Sequence, residues 1–322
     1  PIAFDYHYMG FPGTDNSAIS NTITNAGGRG ITVWSTYKNF TIENNFIDNA
    51  SSGIWIFDDG YGDISNGFIS NNTLKNISGN GISAYTPYGA TFSLDKIYVT
   101  NNYVHTVNGA GIFFRDVEQG YIANNTVLTN LTRESQLTGI YGYYIPKTII
   151  KNNTVTSAVG IEVGGNIDIS TPVIVDGNKL SVNDYGIISN RTYTKIIDNN
   201  VTGFCDHDKC NILYLQNVAA VGIFSQEGEV EINNNYIFNF REAVTIVLAD
   251  FELNDNTIDF SEMAVTANNS KGKMERNEIT NNTRSLSSFK SEIDILDNTF
   301  TDFENAVYAT NSTLLIGNNF FT

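Results

Sequence analysis

The sequence is short of basic residues and of long apolar runs, and both shortages exclude functions. Its 18 Lys and Arg residues stand against 34 Asp and Glu residues, which gives a formal net charge of −16. Nucleic-acid binding depends on cations that neutralise phosphates, so we expect no nucleic-acid partner. No apolar run approaches the roughly 18 residues of a membrane-spanning helix, so we expect no membrane insertion. Solubility accounts for the acidity, with calcium binding as the alternative.

Cysteine is also scarce, and the chain has only Cys205 and Cys210. Two cysteines this close together, around a polar stretch, predict a small disulfide loop formed in an oxidising compartment. A metal site that combines them with His207 is the alternative, although no second pair of ligands is visible. We find no cofactor signature and predict neither a cofactor nor a metal. No secretion signal precedes Pro1, so we expect either a mature product or a fragment.

A short motif recurs along the chain: an Asn with an aliphatic residue or Phe two positions later and an apolar residue three positions earlier. The motif Asn residues are Asn21, Asn45, Asn72, Asn102, Asn125, Asn153, Asn178, Asn199, Asn235, Asn256, Asn277, Asn298 and Asn319. Gly–Ile pairs follow at Gly30, Gly53, Gly81, Gly111, Gly139, Gly160, Gly186 and Gly222. These short segments leave no room for helices between strands, which argues against a leucine-rich horseshoe. We therefore predict coils made of strands and turns.

The repeated Asn has a structural explanation. Asn tolerates the left-handed conformation that a sharp corner needs, and stacked Asn side chains can form hydrogen bonds from coil to coil. We therefore predict an internal Asn ladder along the chain.

The pattern resembles the parallel β-helix repeats of the pectin-lyase-like superfamily, especially the NosD-type and carbohydrate-binding repeats, over residues 16–322. The resemblance implies an all-β fold, a right-handed, single-stranded parallel β-helix (solenoid) of about thirteen coils. It also implies a single domain over residues 1–322. Because the superfamily includes lyases, hydrolases, epimerases, tailspikes and surface fibres, it does not specify an activity.

The chain departs from the enzymes of this superfamily. It lacks the Gly-His-Gly and Arg-Ile-Lys stretches of polygalacturonases and the Asp-Pro-His stretch of alginate epimerases. No active site is therefore carried over. The usual amphipathic N-terminal cap is missing and the chain ends on a coil motif. We expect further chain, or another subunit of a homo-oligomer such as a trimer, to cover the ends.

The outward positions of the Gly–Ile strands are aromatic. If the Ile faces inward, alternation places the second and fourth residues after the Gly on the surface. An exposed apolar patch of this size typically marks a binding surface, and aromatic rings suit the apolar faces of sugars. The predicted polysaccharide-binding residues are Trp34, Trp55, Phe57, Tyr85, Tyr88, Phe113, Tyr141, Tyr143 and Tyr144. Burial under the long loops and a contact between subunits are the alternatives.

Polar residues beside this stripe suggest catalysis as an alternative function. Asp58 and Asp116 are about two coils apart, roughly 10 Å, near the upper end of the range for inverting glycosidases. Both fall at the fifth position after the Gly, where strict alternation points inward, so the pair requires that the strand has already turned. An Arg beside acidic groups could instead neutralise a uronate for a lyase, although surface salt bridges look the same. The candidate catalytic residues are Asp58, Asp59, Arg115, Asp116 and Glu118.

Several Asn-x-Ser/Thr sequons fall outside the ladder motif and predict glycosylation. They are Asn39, Asn49, Asn76, Asn130, Asn190 and Asn311. We therefore predict an extracellular, cell-surface or virion-surface module that binds a polysaccharide or glycoconjugate. The alternatives are a polysaccharide hydrolase, lyase or epimerase that uses the same groove, and a structural surface fibre or tailspike shaft.

Overall fold

The computed structural model describes residues 1–5, 13–34, 37–59, 63–87, 94–130, 137–165, 170–204 and 219–322. They form a right-handed parallel β-solenoid of about 12 turns, which confirms the predicted fold class and is close to the predicted number of coils. Among these residues, no helix is long and apolar enough to span a bilayer. The chain divides into two compact units, residues 1–158 with 163–166, and residues 159–162 with 167–322.

The first unit is built from short parallel strands. They are β1 (Ile2–Asp5), β2 (Gly13–Thr14), β3 (Ser17–Ile19), β4 (Thr22–Trp34), β5 (Tyr37–Glu43), β6 (Phe46–Phe57), β7 (Ser65–Ser70), β8 (Thr73–Ile77), β9 (Ile82–Tyr85), β10 (Asp95–Thr100), β11 (Tyr103–Thr106), β12 (Ile112–Arg115), β13 (Gly120–Ala123), β14 (Thr126–Leu128), β15 (Thr138–Tyr143) and β16 (Ile149–Lys151). Strand β17 (Thr154–Gly164) contains residues of both units.

The second unit has longer strands that bend through corners. They are β18 (Val173–Asp176), β19 (Lys179–Asn190), β20 (Tyr193–Ile197), β21 (Asn200–Gly203), β22 (Ala219–Asn233), β23 (Tyr236–Asn254), β24 (Thr257–Asn268), β25 (Lys271–Glu275), β26 (Glu278–Phe289), β27 (Glu292–Leu296), β28 (Thr299–Thr310), β29 (Thr313–Gly317) and β30 (Phe320–Phe321).

Each turn has three strand positions. We call them the leading strand, before the ladder Asn; the following strand, directly after it; and the Gly–Ile strand. In the first unit the Gly–Ile strands pair in parallel, and Ile54 is opposite Ile31 on one side and Ile82 on the other. All three side chains are fully buried. The Ile after each of these glycines therefore faces the core, as predicted from the alternation.

The predicted Asn ladder is present in both units. Asn45 donates its Nδ2 to Asn72 Oδ1 (2.9 Å) and to the Ala18 carbonyl (2.8 Å), and its backbone N–H donates to Asn72 Oδ1 (2.9 Å). Side-chain contacts of this kind join successive ladder residues from Asn21 to Asn153 and from Asn178 to Asn319. The ladder thereby satisfies buried backbone groups at this corner.

The residue that adopts the left-handed conformation at this corner is the one directly before each ladder Asn. The prediction that one Asn both forms the corner and hydrogen-bonds along the ladder is therefore wrong. Asn44, for example, has φ 56° and Asp255 has φ 57°. The full set is Ser20, Asn44, Asn71, Asn101, Asn124, Asn152, Gly177, Asp198, Asn234, Asp255, Arg276, Asp297 and Asn318. Short polar residues and Gly predominate because they tolerate this conformation. The ladder Asn can then direct its amide along the axis.

The glycines of the Gly–Ile pairs are required by a close approach between coils. A Cβ added at Gly53 would lie 2.5 Å from the carbonyl oxygen of Gly81. At Gly186 it would lie 2.3 Å from the carbonyl oxygen of Gly222. A side chain at either position would push neighbouring coils apart, which explains why Gly recurs there.

A second ladder, which was not predicted from the sequence, lies at another corner of the second unit. The backbone N–H of Ser270 donates to Ser291 Oγ (3.1 Å), and the backbone N–H of Ser291 donates to Ser312 Oγ (3.2 Å). Each of these serines occurs fourteen positions after a ladder Asn. Serine hydroxyls thus accept hydrogen bonds from backbone N–H groups at this corner, as the Asn amides do at the first corner.

Candidate functional site

The outward positions of the Gly–Ile strands in the first unit form two columns. Parallel pairing aligns the fourth-position residues Trp34, Phe57, Tyr85, Arg115 and Tyr143. The second-position residues are aligned in the order Thr32, Trp55, Ser83, Phe113 and Tyr141. Both columns have the register that the spacing of the Gly–Ile pairs predicts. The ladder Asn and the close-packed Gly fix the position of each strand relative to the next coil, and therefore which residues face outward.

Six rings in these columns form a continuous aromatic ridge. The ridge consists of Trp34, Trp55, Phe57, Tyr85, Phe113 and Tyr141. Its ring centroids are 4.8 to 6.2 Å from their neighbours. All but Trp55 are half-buried, whereas the alternation predicted exposed rings. Ring contacts at these distances stabilise the cluster, so the ridge presents ring edges and parts of ring faces to solvent.

Trp55 is buried, which corrects its assignment as a sugar-binding platform. Its side chain is 6% exposed. The Arg29 guanidinium lies 3.3 Å over the ring, and Phe57 stacks on it with centroids 4.8 Å apart. Two groups this close cannot share one face, so both faces of the indole are covered. The indole N–H donates to the Tyr85 hydroxyl (3.0 Å), so Trp55 positions Tyr85 instead.

A polar edge runs beside the ridge. Arg115 lies 5.1 Å over the Tyr85 ring, donates from Nε to the Thr86 carbonyl (3.2 Å), and lies 3.6 Å from Asp116. Thr86 Oγ1 donates to Asp116 Oδ2 (2.9 Å). Burial raises the pKa of the Asp116 carboxyl, while the Thr86 hydrogen bond and the Arg115 charge oppose that rise. Asp116 is therefore a partly buried carboxyl in a defined hydrogen-bonding environment beside the rings.

The other candidate catalytic carboxyls lie in different environments. Asp58 is fully buried, as strict alternation implied, whereas Asp116 has φ 57° and is partly exposed. The Asp58–Asp116 pair therefore cannot flank a substrate in this conformation. Asp59 is half-buried, and Glu118 forms an exposed salt bridge with Lys147 (3.1 Å). Of these residues, Asp116 lies in the polar edge beside the ridge and has a raised pKa.

Other predicted residues have simpler outcomes. Tyr143 and Tyr144 pack together at the end of the columns, with centroids 4.4 Å apart. Tyr88, Cys205 and Cys210 lie outside the described residues. The six sequon asparagines, Asn39, Asn49, Asn76, Asn130, Asn190 and Asn311, are all exposed. Within the described ranges, no group of three His, Cys, Asp or Glu side chains is arranged to hold a metal ion.

A second aromatic column in the first unit was missed from the sequence. It occupies the leading strands, where Tyr98 stacks on Phe68 with centroids 4.9 Å apart and lies 6.3 Å from Tyr121. Phe68 is 47% exposed. All three residues occur four positions before a ladder Asn, so the repeat contained the signal. This column lies on the leading strands, whereas the ridge lies on the Gly–Ile strands.

The raised pKa of Asp116 predicts a pH dependence. The folded state holds a proton that the unfolded chain releases, so stability falls as pH rises through the range above the ordinary value of 3.8. Asp116→Asn removes this titration. We expect the urea midpoint of the wild type, relative to the variant, to decline as pH rises. Parallel midpoint profiles for the two proteins would contradict this.

Thr86→Val supplies the matched control for this titration. It removes the hydrogen bond that favours ionised Asp116, so the pKa of Asp116 should rise further. The decline in the urea midpoint should then extend to higher pH than in the wild type.

Comparisons with known proteins identify the family. The protein-family model described as a right-handed β-helix region matches residues 48–202 and 93–258, which together make up more than half of the chain. No curated protein sequence matches the chain.

Several solved structures resemble this chain at low sequence identity. The catalytic unit of a thermostable GH87 α-1,3-glucanase from Streptomyces thermodiastaticus is 12% identical, with a TM-score of 0.52, over 92% of this chain and 62% of the glucanase chain. A GH87 α-1,3-glucanase catalytic domain in complex with nigerose has 12% identity and a TM-score of 0.39, over 92% of this chain and 56% of that domain.

The A-module of the mannuronan C-5 epimerase AlgE4 from Azotobacter vinelandii has 15% identity and a TM-score of 0.39. It is matched over 94% of this chain and 91% of its own. The chain spans less than two thirds of the glucanases that it resembles. The fold, its ladder and the family match agree, and the chain belongs to the family of right-handed β-helix proteins.

Proposed function

We propose that this chain is an extracellular β-helix module, on a cell surface or a virion, that binds a polysaccharide along the aromatic ridge. The observation that carries the proposal is the unbroken row of ring contacts from Trp34 to Tyr141, beside a polar edge. Partly exposed rings contact the apolar faces of sugars, and neighbouring hydroxyl, carboxyl and guanidinium groups can bind their hydroxyls. The exposed sequon asparagines support a secreted route.

The charges along the ridge favour a neutral polysaccharide. Of the residues that the structure describes there, Arg29 lies on Trp55 and Arg115 is beside Asp116, so both arginines already have partners. A polyuronate would need cations that can pair with its carboxylates, and the formal net charge of −16 would repel it. The fold likeness to an α-1,3-glucanase makes neutral glucans the first ligands to test.

A glycan array on the purified chain tests this function. The array should include neutral glucans, galactans and mannans together with polyuronates, and each bound ligand should be recovered and weighed by mass spectrometry. We expect binding to neutral glycans, recovered intact. An array without any binding would exclude a recognition module, and exclusive binding of polyuronates would exclude the neutral ligand.

Hydrolysis of the polysaccharide is the second candidate function, and the environment of Asp116 favours it. A carboxyl with a raised pKa can serve as a general acid when it lies beside a bound sugar. Reducing ends released by the wild type and abolished in Asp116→Asn would assign this role. Ligands recovered intact from both proteins would leave binding as the function.

A further inference from the structure

A second group of aromatic rings lies in the second unit, on the following strands. The Tyr236 and Phe238 centroids are 6.1 Å apart with ring planes at 8°, and those of Phe238 and Phe260 are 6.0 Å apart at 29°. Tyr236 is 38% exposed, and the other two are half-buried. We call these three residues the ring row. At such offsets, part of each ring face remains uncovered.

Phe260 adopts a left-handed conformation that a bulky side chain rarely takes, with φ 58°. It occupies the corner four residues after a ladder Asn. At the same corner of other coils the left-handed residue is short and polar: Asn25, Asn49, Asn76, Asn239, Asn281 and Asp302. A ring at this position costs conformational energy that Asn would avoid. Strain of this kind is typical of functional sites, where the side chain is kept for another reason.

Polar groups beside the ring row define the chemistry that it can accept. Asp259 accepts a hydrogen bond from Asn281 Nδ2 (2.8 Å). Burial, together with the Asp259 charge, raises the pKa of the Tyr236 phenol, which therefore stays protonated as a donor. Tyr236 pairs with Thr257 in the next coil, and Thr257 pairs with Glu278 in the coil after that. Carboxylates and a phenol suit the hydroxyls of a neutral sugar and repel an anionic one.

We propose that the ring row is a second carbohydrate-binding site, which binds the apolar faces of a neutral polysaccharide independently of the aromatic ridge. The rings supply the stacking surface, and the Tyr236 hydroxyl and the Asp259 carboxylate contact sugar hydroxyls. The corner conformation of Phe260 holds its ring in line with the other two. This site is in the second unit, whereas the ridge is in the first.

The test uses Phe260→Asn in the full chain, with the ridge disabled by Tyr85→Ala. Affinity electrophoresis in gels that contain a soluble neutral glucan or mannan measures the dissociation constant. We expect Tyr85→Ala to lose the contribution of the ridge but to retain the binding of the ring row, and the double variant to bind at least tenfold more weakly than Tyr85→Ala. Equal retardation of Tyr85→Ala and the double variant would overturn the proposal. So would complete loss of binding in Tyr85→Ala alone, since the ring row should still bind.

Phe260→Asn also separates binding from folding, because Asn relieves the strain. We expect the Tm of Phe260→Asn to equal or exceed that of the wild type. A lower Tm would show that the ring is kept for packing, and a wild-type dimer that this variant dissociates would assign the row to a second copy. Either result would overturn the proposal.

Leu248→Asn is the matched control for strain. Leu248 is also left-handed (φ 53°) and 52% exposed, at a corner where Asn269 and Asn311 occur in other coils. Its replacement relieves the same strain without touching the ring row. In the Tyr85→Ala background, Leu248→Asn should leave binding unchanged, and a loss that matches that of Phe260→Asn would overturn the assignment of the site to the rings.

Discussion

Asn256→Ala should lower the free energy of unfolding by roughly 2–6 kcal/mol. The Asn256 Oδ1 accepts from the backbone N–H and Nδ2 of Asn235, at 2.9 and 3.0 Å. Its Nδ2 donates to the carbonyls of Ile232 and Asn254 and to Asn277 Oδ1, at 2.8 to 3.0 Å. Alanine leaves the buried backbone N–H of Asn235 without an acceptor, at a cost of about 1–3 kcal/mol, and removes the other buried hydrogen bonds of this amide, each worth about 0.5–1.5 kcal/mol. Urea unfolding measures the change.

Asn305→Ala is the control for this prediction. Asn305 is an exposed residue of β28, so its replacement should change stability by less than about 0.5 kcal/mol. If Asn256→Ala also stayed within that range, the amide ladder would not be what stabilises the corner.

Tyr85→Ala should weaken the binding of a neutral oligosaccharide that binds only the ridge by roughly 10- to 100-fold, or about 1.4–2.8 kcal/mol. Tyr85 is at the centre of the ridge, with its ring 5.1 Å from Phe57 and 5.6 Å from Phe113. Its hydroxyl accepts from Trp55, and Arg115 lies over its ring. Its loss therefore interrupts the ridge and releases a residue of the polar edge. Titration calorimetry with a ridge-specific oligosaccharide from the array measures the dissociation constant.

Tyr98→Ala provides the control in the same unit, because Tyr98 lies on the leading strands and stacks on Phe68. Its affinity should match that of the wild type. Light scattering on both variants separates binding from assembly. A wild-type oligomer that Tyr85→Ala dissociates would mean that the ridge is a subunit contact, as the fibre hypothesis requires.

The ladder could be predicted because it leaves a local signature at a fixed spacing. The motif places Asn102 and Asn256 correctly, since each coil needs one amide at one corner. The left-handed conformation at these corners belongs to the preceding residues, Asn101 and Asp255, and residue type alone could not predict which of the two neighbours would adopt it. A run of two asparagines, or Asp followed by Asn, is compatible with either arrangement.

The candidate site could be predicted only in part. The columns followed from the alternation and the Gly–Ile phase, which also implied that Asp58 points inward. The burial of Trp55 depends on Arg29, which follows a register shift in β4. Such a contact between coils has no local sequence signal. The left-handed turn at Asp116, which exposes one carboxyl where Asp58 is buried, is equally a property of its own loop.

The strict spacing at the end of the chain has an evolutionary consequence. From Asn235 to Asn319, successive ladder residues are 21 positions apart. Deleting or duplicating 21 residues in this region keeps every amide, corner and buried side chain in phase, whereas one residue more or less inverts the faces of a strand. Recombination between repeats can therefore lengthen or shorten this region by whole coils, while smaller changes in length are confined to the loops.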